Sequence, residues 1–297
     1  MSHTGRHFLQ IPGPTNVPDR ILRAMDQPVI DHRGPEFAKL ATEVLEGMRG
    51  IFQTTARVVV YPSSGSGGCE AALVNTLSPG ERVLIFETGN FSQLWQRVAE
   101  KMGLNVEYVP GNWRRGASPA DLEARLGADK SHEFKAVVVV HNETSTGVTS
   151  RIADIRRAMN VLRHPALLIV DTVSSLACMD YRHDEWEVDV AVCGSQKGLM
   201  VPPGLSFNAI SEKALSANKS ARLPRSYWSW EDMLAFFRTR RPPTFYTVCE
   251  KLSGCFRKRD FRTFFDGINV TPKQHVLRFE HGVWTSSVKS LWNTQVP

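Results

Sequence analysis

The stretch "KAVVVVHNET", residues 135–144, decides the predicted fold. Four consecutive valines, Val137–Val140, form a β-branched apolar run without the polar alternation of a half-exposed strand. Such a run predicts a strand that is buried on both faces, as in parallel sheets covered by helices on each side. The fold class predicted is therefore α/β: a three-layer sandwich with a mostly parallel sheet.

Comparable apolar runs, separated mostly by helix-like stretches, extend from residue 57 to residue 210. The predicted strands are Arg57–Tyr61, Arg82–Glu87, Asn105–Val109, Lys135–His141, Ala166–Asp171, Val188–Cys193 and Leu205–Ile210. The predicted helices are Gly68–Thr76, Phe91–Lys101, Pro119–Leu126 and Ile152–Arg163. Ligands of such sheets bind beyond the carboxyl ends of the strands, which is where the polar motifs of this sequence fall.

Composition narrows the class of protein. The 297 residues carry a net charge of +6, but residues 237–297 hold 11 Lys/Arg and 4 Asp/Glu, which leaves the rest of the chain near −1. A nucleic-acid partner is therefore not expected for the folded body. We also expect no membrane partner, because no run of 18 apolar residues exists, and a cytoplasmic location, because no signal-peptide pattern is seen. The five cysteines show no metal-ligand spacing, so no metal is expected.

Three features suggest chemistry, although each has a plain structural interpretation. The turn "SSGSGG", residues 63–68, precedes a helix and could bind an anion or be an ordinary turn. Asp171 ends a buried strand and could pair with a protonated ring nitrogen or cap the next segment. Lys197, between a strand and a Gly/Pro turn, could be a nucleophilic amine or a solvated surface lysine. Phosphate, ring nitrogen and aldehyde are the three groups by which pyridoxal 5′-phosphate is held.

Longer motifs carry a family resemblance. The segment "DTVSSLACMDYRHDEWEVDVAVCGSQKGLMVPPGLSF", residues 171–207, resembles the lysine region of class V, fold-type I pyridoxal-phosphate aminotransferases, in particular the serine–glyoxylate and alanine–glyoxylate branch. The motifs "IPGPTNVP", "YPSSGSGG", "EAALVNTLSPG", "VVVVHNETSTGVTSRI" and "ARLPRSYWSWEDMLA" are similar to the same family. The resemblance covers about residues 8–236.

The resemblance implies a role for each matching residue. Lys197 would form the Schiff base with the cofactor and move the substrate proton, and Asp171 would pair with the ring nitrogen. Val173 and Phe91 would pack on the two ring faces. The phosphate cradle would consist of Ser66, Gly67 and Gly68, with Gln196 nearby. Thr144 and Ser145 would lie near the cofactor 3′-oxygen, and Gly13 would belong to a substrate-side loop. Cys69 departs from the family pattern, which has a bulky aromatic there, and leaves the helix packing beside the phosphate turn open.

The reaction implied is transamination, in which serine or alanine gives its amine to the cofactor and glyoxylate receives it to become glycine. The partners implied are a small amino acid, a 2-oxo acid and a second copy of the chain in a homodimer. Two other interpretations stay open within this fold: a class V lyase or desulfurase, and a non-catalytic remnant of such an enzyme. A nucleic-acid binder that uses the basic tail is a third, disfavoured because its arginines show no recognition pattern.

The family pattern stops after "SWEDMLAF", residues 229–236. We therefore predict an N-terminal arm (1–20), a cofactor-binding large domain (21–236) and an aberrant basic tail (237–297) in place of the small C-terminal domain. A one-base shift of the coding frame permits the family-like string "LYGLRE" from residues 245–251, so the tail is predicted to be frameshifted. The family's phosphate-binding Tyr-Thr segment and its substrate-binding arginine would then be missing, and activity would be impaired.

Overall fold

The computed structural model describes residues 8–239, 275–280 and 283–288 of the chain. Eight helices occur in these ranges: α1 (Asp19–Met25), α2 (Pro35–Phe52), α3 (Gly65–Val74), α4 (Asn90–Lys101), α5 (Pro119–Ala128), α6 (Ile152–Val161), α7 (Glu212–Asn218) and α8 (Trp230–Thr239). The strands in the same ranges are β1 (Arg57–Ser63), β2 (Arg82–Phe86), β3 (Asn105–Val109), β4 (Phe134–Val140), β5 (Leu167–Asp171), β6 (Val190–Gly194), β7 (Gly204–Ile210), β8 (His275–Glu280) and β9 (Val283–Val288).

Seven strands form one mostly parallel sheet in the order β1-β7-β6-β5-β4-β2-β3. Strand β7 alone runs antiparallel to its neighbours, β1 and β6, whereas β6, β5, β4, β2 and β3 are parallel. The carboxyl ends of six strands therefore lie at one edge. The α/β class and the mostly parallel sheet predicted from the sequence are confirmed. Strands β8 and β9 form a separate antiparallel pair.

Burial explains why the apolar runs became strands. Every residue of β5 and β6 is buried, and β4 is buried except at Lys135. A strand without an exposed face needs helices on both sides of the sheet. Two indoles, Trp95 of α4 and Trp230 of α8, are among the largest fully buried side chains. Among the described helices, none is long and apolar enough to cross a membrane.

All seven predicted strands are present, with ends that differ from the prediction by at most two residues. The predicted helices are also present, but α3 begins at Gly65 rather than Gly68, because the Gly68 N–H already donates to the Ser64 carbonyl in the first helical bond. Four helices were not predicted: α1, α2, α7 and α8. The longest of these, α2, buries a stripe of apolar residues along one face, the ordinary sign of a surface helix.

The predicted domain boundaries stay predictions. Residues 1–7 of the N-terminal arm and residues 240–274, 281–282 and 289–297 of the basic tail lie outside the described residues. The aberrant character proposed for residues 237–297 also stays a prediction.

Candidate active site

The polar residues singled out from the sequence gather at the carboxyl edge of the sheet. Adjacent strands are in register there: Val140 of β4 is opposite Asp171 of β5, and Asp171 is opposite Val192 of β6. The segments that follow these strands, beginning at His141, Thr172 and Ser195, are thus neighbours. This edge is where an open α/β sheet binds its ligands.

Asp171 is a buried carboxylate whose two oxygens each accept one hydrogen bond. Oδ1 accepts from the backbone N–H of Val173 at 2.9 Å, and Oδ2 accepts from the indole N–H of Trp95 at 2.8 Å. Burial raises the pKa of Asp171 to about 6, against the lowering effect of these donors. The Val173 bond resembles a cap, but the segment after it is a turn rather than a helix. A buried carboxylate with two neutral donors is suited to a cationic ligand atom.

Lys197 lies close enough to Asp171 for the two charges to influence each other. Its Nζ donates to the Pro12 carbonyl at 2.7 Å. Partial burial lowers the pKa of Lys197, and the negative charge of Asp171 opposes that effect. A lowered pKa increases the share of neutral amine, the form that attacks a carbonyl.

The segment containing Gly13 lies directly against this lysine. A Cβ added to Gly13, whose φ is +130°, would lie 2.5 Å from Lys197 Nζ. The segment is fixed there by Thr15, whose N–H and hydroxyl both donate to the Gln196 carbonyl. Gly13, predicted to belong to a substrate-side loop, is therefore in contact with the predicted catalytic amine.

The predicted phosphate turn is the beginning of α3. Ser64 is the N-cap residue, and Ser66 in the first turn is exposed. Free N–H groups in the first turn of a helix attract anions. Gly68 contributes differently: its N–H is used within the helix, and a Cβ there would lie 2.8 Å from Val192 Cγ1 of β6. The role of Gly68 in the predicted cradle is therefore to let α3 pack closely against β6.

Gln196 has an unused acceptor near the same turn. Its side-chain Oε1 is buried and has no hydrogen-bond partner among the described residues. A Cβ added to Gly194 would lie 2.8 Å from this oxygen and 3.4 Å from the Gly65 nitrogen, so the amide is close to the start of α3. An unpaired buried polar atom at this place indicates a missing ligand or water.

Phe91, Thr144 and Ser145 are brought together by a residue that was not singled out, Glu143. Its buried carboxylate accepts from the backbone N–H groups of Phe91 and Ser92, both at 3.1 Å, and from the Ser145 hydroxyl at 2.6 Å. Thr144 lies half-buried in the same turn. A carboxylate at a helix N-terminus is favourable, so Glu143 fixes the start of α4. Stacking of the half-buried Phe91 on a cofactor ring stays a prediction, as does packing of Val173, whose side chain touches Gly65.

Three parts of the site were missed in the sequence: Glu143, Trp95 and the Pro12 carbonyl. Glu143 had a signal, because a carboxylate directly after a buried strand needs partners. The sequence signal for Trp95 was weaker: it lies four residues after Phe91 and therefore on the same face of the helix. Cys69, the departure from the family pattern, is buried in α3, which packs against β6 and β7.

Comparisons with known proteins show the family of the chain. The family model described as aminotransferase class-V matches residues 7–224. The L-aspartate–glyoxylate aminotransferase of Paracoccus denitrificans is 48% identical over 92% of this chain and 69% of its own length. The serine–glyoxylate aminotransferase of Methylorubrum extorquens is 46% identical over 86% of this chain and 66% of its own length.

A solved structure is similar over nearly the same extent. The ureidoglycine–glyoxylate aminotransferase of Bacillus subtilis superposes with a TM-score of 0.82, at 28% identity, over 90% of this chain and 68% of that one. The chain thus spans about two thirds of the length of these relatives.

Proposed function

Because this chain belongs to the aminotransferase class-V family, we propose that it is a pyridoxal-phosphate-dependent enzyme that transfers an amino group from serine or alanine to glyoxylate. Glycine and the oxo acid of the donor are the products. The relatives named above differ in their donor, aspartate in one and serine in the other, so the donor is the finer part of the proposal.

One observation carries the proposal: Lys197 and Asp171 are electrostatic neighbours at the carboxyl edge of the sheet. Each affects the pKa of the other, while burial lowers the pKa of the lysine and raises that of the aspartate. Perturbed groups of opposite sign in one cleft are typical of a catalytic site. An isolated surface lysine, the plain alternative for Lys197, would show neither the burial nor this partner.

The residues present fit pyridoxal 5′-phosphate. Asp171 offers a buried carboxylate to a protonated ring nitrogen, and the first turn of α3 offers N–H groups to a phosphate. Gln196 lies beside this turn, where its side-chain amide N–H, and not the unpaired Oε1, is the group that would donate to a phosphate. When bound, the cofactor supplies an aldehyde that condenses with amines and a cationic ring that withdraws electrons from the carbon beside the amine.

The protein's own residues then have separate tasks. Lys197 Nζ takes the proton from the substrate α-carbon and returns it, which its lowered pKa favours. The Pro12 carbonyl holds this amine when it is charged. Asp171 would provide the negative charge for the ring nitrogen, and Glu143 fixes the helix that carries Phe91.

A homodimer is the proposed assembly. Three large apolar side chains near the N-terminus are strongly exposed: Phe8 (69%), Ile11 (54%) and Val29 (59%). Exposed apolar groups concentrated in one segment favour an interface with another copy. The cytoplasm is the proposed compartment, which the free thiols of Cys69, Cys178 and Cys193 support.

The proposal is tested by cofactor fixation and by turnover. The purified chain is mixed with pyridoxal 5′-phosphate and reduced with borohydride, and the labelled peptide is identified by mass spectrometry. We expect the label on Lys197 and its loss in Lys197→Arg. Lys213→Arg is the control, because the pKa of Lys213 is also lowered by desolvation, but its amine donates to Ala166 and Asp189 instead. A label that is unchanged in Lys197→Arg would overturn the assignment.

Turnover separates the alternatives. Glycine formation from glyoxylate is measured with serine, alanine and aspartate as donors. Glycine formed with any donor supports the aminotransferase, and the rates rank the donors. Cofactor fixation on Lys197 without glycine from any donor would identify the non-catalytic alternative, and release of sulfide from cysteine would identify a desulfurase.

A further inference from the structure

We infer that Trp95 is a positioning residue for Asp171, whose carboxylate it holds in the ionised form and in the orientation that a cationic ring nitrogen requires. The inference rests on the proposed function of Asp171 and names a residue that supports it. Trp95 does not need to touch the cofactor for this role.

The geometry gives Trp95 a single polar task. Its side chain is fully buried, and its indole N–H donates to Asp171 Oδ2 at 2.8 Å. An indole nitrogen can only donate, so this contact favours a carboxylate over a protonated carboxyl at that oxygen. The Val173 N–H occupies Oδ1 from the other side at 2.9 Å. The carboxyl plane is therefore fixed by two donors that come from different elements, α4 and the turn after β5.

The surroundings of Asp171 make these donors necessary. The charged groups that act on it are Glu143 after β4 and Lys197 after β6, and its own charge raises the pKa of the nearby thiols of Cys69 in α3 and Cys193 in β6. Among these, only Lys197 favours a negative charge on Asp171, and that amine is bonded to Pro12. Burial is the largest effect on Asp171 and favours the protonated form, and the Trp95 bond is the first effect that opposes it.

Helix α4 connects Trp95 to the rest of the site. Glu143 binds the first N–H groups of the helix, and Phe91 lies one turn before Trp95 on the same face. One rigid element thus presents the aromatic residue predicted to face the ring and the donor that holds the ring's counter-charge. Phenylalanine at position 95 would retain an aromatic ring but lack the donor.

The first experiment measures the ionisation of Asp171 in the cofactor-free protein. The carboxyl ¹³C signal of Asp171 is followed against pH in the wild type and in Trp95→Phe. We expect the pKa of Asp171 to rise by about one unit in the variant, as for loss of one hydrogen bond to a charged group. Trp230→Phe is the matched control: Trp230 is equally buried, and its N–H meets the Asn208 amide instead. An Asp171 pKa that is the same in Trp95→Phe as in the wild type would overturn the inference.

A second measurement requires no change at position 95. The indole ¹⁵N–H signal of Trp95 in the wild type should titrate with the pKa of Asp171, and this titration should vanish in Asp171→Asn. A Trp95 signal that ignores the ionisation of Asp171 refutes the inference even if Trp95→Phe does not fold.

The loaded enzyme gives a third comparison. Trp95→Phe should weaken cofactor binding about tenfold when Asp171 is present. The same substitution should weaken binding clearly less when it is combined with Asp171→Asn. Equal weakening in both backgrounds would indicate a purely structural role and contradict the inference. Failure of the wild type itself to bind pyridoxal 5′-phosphate would instead refute the proposed function, while the two titrations of the cofactor-free protein would still decide the role of Trp95.

Discussion

Lys197 Nζ donates a hydrogen bond of 2.7 Å to the carbonyl oxygen of Pro12, a residue 185 positions earlier in the chain. The contact places the N-terminal segment inside the site rather than beside it. The single O–H of Thr15 is shared at the same junction between the carbonyls of Gln196 at 3.3 Å and Lys197 at 3.2 Å. The amine is therefore already oriented by the protein's own backbone.

Gly13→Ala should weaken cofactor binding by roughly tenfold or more, because the new Cβ would displace the Lys197 amine and strain a backbone with φ of +130°. Binding is measured by titration with pyridoxal 5′-phosphate. Gly103→Ala is the control: its φ is also positive, at +76°, but a Cβ there meets nothing within 4 Å. Equal affinities in the two variants would show that the contact between Gly13 and Lys197 is unimportant.

Asp171→Asn should alter the pH dependence of stability in the cofactor-free protein. Burial raises the pKa of Asp171 from 3.8 to about 6, so between these values the unfolded chain ionises while the folded one keeps its proton. Stability therefore falls as the pH rises from about 4 to about 6. Between pH 5 and pH 8 the wild type should lose roughly 1 kcal/mol more than the variant in denaturant unfolding. Parallel pH profiles would contradict the raised pKa.

Ser66→Ala and Gly68→Ala should have different effects at the start of α3. Gly68→Ala forces a Cβ to within 2.8 Å of Val192 and should cost about 1–3 kcal/mol of stability. Ser66→Ala changes an exposed side chain and should leave stability within about 0.5 kcal/mol while weakening phosphate-dependent binding. Thermal or denaturant unfolding and competition by inorganic phosphate measure the two effects. A stable Gly68→Ala variant would contradict the packing role.

His183→Gln should make the protein less sensitive to acid. Burial lowers the pKa of His183 to about 4, and its Nε2 has no partner within the described part of the chain. As the pH falls below about 6.5, the imidazole of His183 is protonated in the unfolded chain but stays neutral in the folded one, so the stability of the folded protein decreases. The variant should lose roughly 2 kcal/mol less than the wild type between pH 7 and pH 5. His141, with a pKa also lowered to about 4, adds a second penalty of the same sign.

The coding DNA tests the predicted frameshift after residue 236. A one-base change of frame should restore a long reading frame with the family's C-terminal pattern. The match to the Paracoccus denitrificans protein covers 92% of the chain, a share that cannot be reached without residues after 236. A coding DNA that shows no better reading in either shifted frame would contradict the prediction and identify the tail as a divergent domain.

Strand positions could be predicted because strands that are buried on both faces appear in the sequence as continuous apolar, β-branched runs. Strand β3 has the predicted bounds, Asn105–Val109, and β4 differs by one residue at each end. The residues of β7 themselves do not indicate that this strand runs antiparallel to its neighbours. A separate signal existed: the nine residues between Gly194 and Gly204 are too few for the crossover that parallel neighbours require.

The sequence predicted the parts of the site in which a charged side chain occupies an unusual position. It did not predict the parts formed by a backbone carbonyl or by a buried aromatic residue. Lys197 and Asp171 are unusual residues for the ends of buried strands, so they could be singled out. Trp95 looks like any apolar residue of an amphipathic helix, and only its bond to Asp171 reveals a polar task. The Pro12 carbonyl could not be found at all, since every residue has one.

The reversed strand β7 has a consequence for the chain that follows it. The strand ends at Ile210, at the edge of the sheet opposite the site, so the next segment must travel back, and it returns at Trp228. There the indole lies against Gly67, such that a Cβ on that glycine would be 2.5 Å from the ring, and its N–H donates to Glu70. The same segment also contacts the sheet, because the Trp228 carbonyl accepts from the Tyr61 hydroxyl of β1 and the Trp230 indole donates to Asn208 of β7. The segment that leads into α8 therefore connects the turn proposed to bind phosphate with the edge of the sheet formed by β1 and β7.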